Sequence, residues 1–63
     1  VLAEWELWAC ALQFIKLHSE DAPIHAAMRA DEMLAEGDLD GAKNFQAIIR
    51  RIDQLLQAPN TVN

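Results

Sequence analysis

Apolar residues recur along this chain with a helical period, in three stretches separated by breaks at His18–Pro23 and Gly37–Gly41. No stretch alternates strictly between apolar and polar positions, as a half-buried strand does. Over residues 3–18, steps of 100° place Leu17, Cys10, Phe14, Leu7, Ala11, Ile15, Trp8, Leu12, Trp5 and Ala9 on an arc of roughly 240–280°. Only Glu6, Gln13 and Lys16 form a consistent polar stripe. Such a helix must be covered on two sides, by its two neighbours in the chain or partly by another subunit. Over residues 22–36, Ile24, Met28 and Ala35 adjoin Ala26, Ala27, Ala30, Met33 and Leu34, opposite His25, Arg29, Glu32 and Glu36. Four alanines on its apolar face would let a partner helix approach closely. The third pattern, over residues 39–57, is the cleanest: Phe45, Ile48, Ile49, Ile52, Leu55 and Leu56 fill an arc of roughly 140° with Ala42 at its edge.

The breaks carry their own chemistry. Asp21, ahead of Ala22-Pro23, offers a side-chain acceptor to the first turn of the second helix, where a proline loses no helical hydrogen bond. Gly37 suits the left-handed residue that ends a helix, and Asp38 is placed to cap the third. Short connections join antiparallel neighbours, so the pattern predicts an all-α, up-down-up three-helix bundle in one domain over residues 1–58, with 59–63 as a frayed tail. A helical hairpin crossed by the third helix, or an extended pair compact only as a dimer, are the alternative topologies.

Size makes the apolar content matter. In 63 residues, 52% are apolar, and a domain of this length hides only roughly 60% of the surface its unfolded chain exposes. The second and third helices account for their share with one-sided stripes, which leaves the surplus on the first. Ten acids against five bases give a net charge of −5 and a pI near 4.6, a poor starting point for contact with nucleic acid or with anionic membrane surfaces. A single cysteine forms no internal disulfide, which suits a reducing cytoplasm. No segment reaches the roughly 20 uninterrupted apolar residues of a bilayer span. Glu4, Glu6 and Lys16 interrupt the apolar start, which does not read as a signal peptide. The chain starts at Val1, so a residue or two upstream, with the first helix cap, is expected.

Four runs carry a resemblance: Glu6-Leu7-Trp8-Ala9, His18-Ser19-Glu20-Asp21-Ala22-Pro23, Gly37-Asp38 with Gly41, and Arg51 with Gln54-Leu55. Together they resemble a small bacterial family of unknown function, mostly alphaproteobacterial, with an E-x-W-A, H-G-x-x-A-P, G-D-x-x-G and R-x-x-Q-L pattern spread over about residues 4 to 56. Ser19 stands where that pattern has glycine and Phe45 where it has tryptophan, departures that bear on local cap and core geometry. The resemblance implies a helical fold and brings no catalytic residue.

Chemistry-bearing residues are few. Cys10 sits on the apolar arc between Leu7 and Phe14, away from any cation that would hold a thiolate, and reads as a buried small hydrophobe. His18 and His25 flank acids, yet their seven-residue separation matches no familiar zinc spacing, so no metal is assigned. His18 suits the carbonyl end of the first helix, and His25 falls on the solvated face of the second. Lys43, Arg50 and Arg51 invite a nucleic-acid reading for the third helix, diluted by Asp38, Asp40 and Asp53. No nucleophile–base order or glycine-rich phosphate loop is present, so neither a catalytic residue, a cofactor nor a small-molecule substrate is inferred. Trp5 and Trp8 stand out, on the side of the arc that also holds Leu12 and Ile15; either both rings fill the core or one of them anchors an interface. Tryptophan is enriched at binding hot spots, so Trp5, Trp8, Leu12 and Ile15 are the candidate interface of a non-enzymatic cytoplasmic protein that pairs with itself, a dimer preferred, or with another protein. A small nucleic-acid-associated regulator is the alternative.

Overall fold

The computed structural model describes residues 2–57, so the expected tail at 59–63 lies outside the described residues. The fold is all-helical, with no strand among the described residues. Helix α1 spans Glu4–His18, a 3-10 turn Ser19–Asp21 follows, α2 spans Ala22–Ala35, and α3 spans Leu39–Gln57. No loop residue separates α1, the 3-10 turn and α2, so the first half of the chain is a nearly continuous helix bent at one corner.

Ala3 precedes α1 in an extended conformation and has no side-chain acceptor to offer. Only the reciprocal half of a capping box forms: the Ala3 N–H donates to Glu6 Oε1 at 2.8 Å. At the far end, Ser19 takes φ +52° and ψ −127°, the geometry of the first central residue of a type II′ turn, which glycine dominates. Ser19, within the break read between the first two helical patterns, is therefore the residue that bends the chain. Asp21 departs from expectation. It occupies the cap position of α2 but makes no side-chain cap bond. The 3-10 turn runs directly into the helix, so the Ala22 N–H already donates to the Ser19 carbonyl, and Pro23 has no N–H to satisfy.

The second corner is built as the sequence predicts. Gly37 lies at φ +82°, its N–H donates to the Leu34 carbonyl at 3.1 Å, and the Asp38 N–H donates to the Met33 carbonyl at 2.8 Å. Those two bonds form a Schellman motif, which satisfies the last carbonyls of α2. Asp38 Oδ1 then accepts from the Gly41 N–H at 2.9 Å, capping α3. A Cβ on Gly41 would stand 2.7 Å from Met33 Sδ and 2.8 Å from Asp38 Cγ, so the second glycine leaves room for the cap itself.

Leu7 and Ala11 from α1, Ala22 and Ala26 from α2, and Ile48 and Ile52 from α3 form the core. Phe14, Ile15, Phe45, Ile49 and Leu55 lie half-buried against it. Among the described residues, only Ile48 and Ile52 are large and fully buried. The stripe read for α3 thus faces inward as predicted, with Ala42 buried and Leu56 turned partly outward. On α2 the expectation of a single apolar face fails. Ala22, Ala26 and Ala30 form a buried seam four residues apart, while Ile24 is 60% and Met28 54% exposed. Small side chains let helix axes approach closely, and the close approach is made on the alanine side, which turns the larger Ile24 and Met28 outward. Surplus apolar surface therefore belongs to α2 as well as to α1.

Candidate interaction surface

The four residues singled out on α1 divide into two pairs. Trp5 is 71% and Leu12 56% exposed, seven residues apart and so within about 20° of each other around the helix. Ala9 lies between them and is exposed too, leaving a shallow apolar strip with a bulky ring near one end. Trp8 and Ile15 are turned toward the rest of the chain. Ile15 packs against the core. Trp8 is half-buried, its indole Nε1–H donating to Glu4 Oε2 at 2.9 Å.

Arg51 completes that arrangement from α3. Its guanidinium lies 5.3 Å from the Trp8 ring and donates from Nη2 to both Glu4 oxygens at 2.9 Å. One carboxylate thus holds the indole and the guanidinium together, pinning the first turn of α1 to α3. The Leu2 N–H donates to Asn44 Oδ1 at 3.4 Å nearby, a long and weak bond. Arg51 is consequently engaged within the chain, and of the three cations that suggested a nucleic-acid face, Lys43 and Arg50 are the exposed ones.

At the other end of α1 an aromatic chain runs through the fold. His25 stacks on His18 with ring centroids 3.7 Å apart and planes inclined by 13°. His18 is 6.0 Å from Phe14, and Phe14 meets Phe45 edge-on at 5.8 Å. Arg29, paired with Glu32 at 2.6 Å, lies 6.0 Å over the Phe45 ring. His25 is therefore not on a solvated face: it is half-buried against α1, because the bend at Ser19 brings the first turn of α2 beside the last turn of α1. Phe45 joins α3 to this chain through its edge-to-face contact with Phe14.

Cys10 is half-buried against the core rather than fully enclosed. Among the described residues, no three His, Cys, Asp or Glu side chains gather as a metal cage, and no cavity is formed. No described helix is long and apolar enough to cross a membrane. Sequence reasoning missed the outward pair Ile24 and Met28 and the imidazole stack. The alanine spacing 22, 26, 30 was the available signal for the first, and nothing local signalled the second.

Fold and surface together define a small all-helical protein whose distinctive features are exposed apolar strips and no enclosed site among the described residues. The chain belongs to the family of unknown function DUF6961, whose family model matches residues 3–60. No curated protein and no solved structure matches it.

Proposed function

We propose that this chain is a non-enzymatic association module, a three-helix bundle that pairs through the outward strip of α1. The observation that carries the reading is Trp5, a large aromatic ring 71% exposed beside exposed Ala9 and Leu12. Burying such a ring removes a substantial apolar area from water, and tryptophan anchors are disproportionately common at interface centres. A two-fold arrangement sets the strip against itself, with Ala9 allowing close approach of the two α1 helices and Trp5 lying across the partner's Leu12. Trp8 and Ile15 support the strip from beneath without joining the interface. A cytoplasmic setting accords with the unpaired Cys10.

Sedimentation equilibrium at micromolar concentration tests this, with Trp5→Ser and Leu12→Ser as companions. The expected result is a concentration-dependent mass above 7.1 kDa that returns to 7.1 kDa in either variant. A wild-type chain that stays at 7.1 kDa, with Trp fluorescence independent of concentration, overturns the pairing. The nucleic-acid alternative draws less support, since Arg51 is held by Glu4 and Trp8.

A further inference from the structure

A second surface lies on the outward side of α2. Ile24 and Met28 are one turn apart and each more than half exposed, and Leu34 and Ala35 continue the exposed apolar run. Asp31 interrupts it, three residues after Met28 and three before Leu34. No Lys or Arg among the described residues forms an ion pair with Asp31. The stripe from Ile24 to Ala35 is about 17 Å long, matching roughly three turns of a guest helix.

Charge tells what would lie there. Residues 20–40 hold seven acids and one base, −6, whereas the rest of the chain holds three acids and four bases, +1. All seven acids are exposed, and the one base, Arg29, is already paired with Glu32. The net negative charge of the protein is thus concentrated in the segment that carries this stripe. A second copy placed on it by a two-fold axis would set −6 against −6, which disfavours self-pairing. A basic partner would be steered toward the same surface.

We propose that the outward face of α2 receives a cationic amphipathic helix of another protein, its apolar side on Ile24 and Met28 and a lysine or arginine opposite Asp31. This surface is separate from the α1 strip and stands or falls without it. The test is an NMR titration of the isotope-labelled full chain with a synthetic Leu/Lys amphipathic helix of three to four turns, and with its Leu/Glu counterpart. Amide shifts are expected along α2 at Ile24, Met28, Asp31 and Ala35. Affinity for the Leu/Lys peptide should fall about tenfold in Ile24→Ser/Met28→Ser and in Asp31→Lys, with far-UV circular dichroism unchanged, and hold in Trp5→Ser. Binding indifferent to Ile24→Ser/Met28→Ser means plain attraction to acids and overturns the proposal. So do equal binding of the Leu/Glu peptide, shifts centred on the α1 strip, or absence of binding. A wild-type oligomer that Ile24→Ser/Met28→Ser dissolves would assign the face to a second copy instead.

Discussion

His18 and His25 lie face to face across the corner between α1 and α2, with ring centroids 3.7 Å apart, although the chain between them makes a full 3-10 turn. Their stack joins the last residue of one helix to the first turn of the next, and it continues through Phe14 to Phe45 on α3. Stacking removes both ring faces from water, an area effect on the order of 1 kcal/mol. Replacing His25 by alanine should therefore destabilise the chain by about 1 kcal/mol in urea unfolding, while His25→Phe, which keeps a flat ring, should lose less than half of that. Equal losses in the two variants would show that the imidazole acts through something other than its face.

Ser19 stands in backbone territory that suits glycine. At φ +52° and ψ −127° a Cβ is strained, and such positions cost on the order of 1–3 kcal/mol. Ser19→Gly removes the strain but gives the unfolded chain more freedom, a penalty of roughly 0.5–1 kcal/mol. The net expectation is a gain of about 1 kcal/mol, worth roughly 4–8 °C in melting temperature for a domain of this size. Ser19→Val should move the melt in the opposite direction, because branching at Cβ worsens the same clash. A melt lowered by glycine would place the bend's stability in the serine side chain.

How legible these features were depended on whether their cause was local. Gly37 and Asp38 could be read in advance because the left-handed residue and the cap acceptor are properties of a few consecutive residues. The α3 stripe was legible for a related reason: one face of that helix is polar throughout, so periodicity names the inner side. On α2 periodicity names an apolar arc but not which part of it is covered. Ala22, Ala26 and Ala30 took the inner position because close packing rewards small side chains, and Ile24 and Met28 were displaced outward. Trp5 and Trp8 illustrate the same limit within the candidate interface. They are three residues apart on one arc, yet Glu4 and Arg51 draw Trp8 inward and leave Trp5 exposed. The His18–His25 contact depends on the bend at Ser19, which no spacing rule anticipates.

The corner at Gly37–Gly41 should fail in a specific way when Gly41 acquires a side chain. A Cβ there meets Met33 Sδ, the flexible end of a side chain that can move, and the Asp38 carboxylate, which cannot move without releasing its bond to the Gly41 N–H. Gly41→Ala is expected to cost about 1 kcal/mol, the worth of an N-cap, despite alanine's better helix propensity. Asp38→Ala should cost a similar amount. Combined, the two should cost little more than either alone, since each removes the same cap. Additive losses in a chemical-unfolding series would mean that Gly41 matters for packing against Met33 and not for the cap.

Glu4 joins three groups that come from opposite ends of the chain: its own first turn of α1, the Trp8 indole and the Arg51 guanidinium. The carboxylate is mostly open to water, so the ion pair alone is worth only about 0.2–1 kcal/mol and should weaken in salt. Arg51 is more enclosed and also lies over the Trp8 ring, a contact that salt screens less. A double-mutant cycle on Glu4→Gln and Arg51→Met separates the two contributions. Coupling of about 0.5 kcal/mol is expected at low salt and close to none at 1 M sodium chloride, where the Debye length is about 3 Å. The cost of Arg51→Met by itself should persist in salt, because the residual term is contact with the indole. If that cost also vanishes in salt, the guanidinium does not pack on Trp8, and the tryptophan is free to turn outward and join Trp5 on the exposed strip.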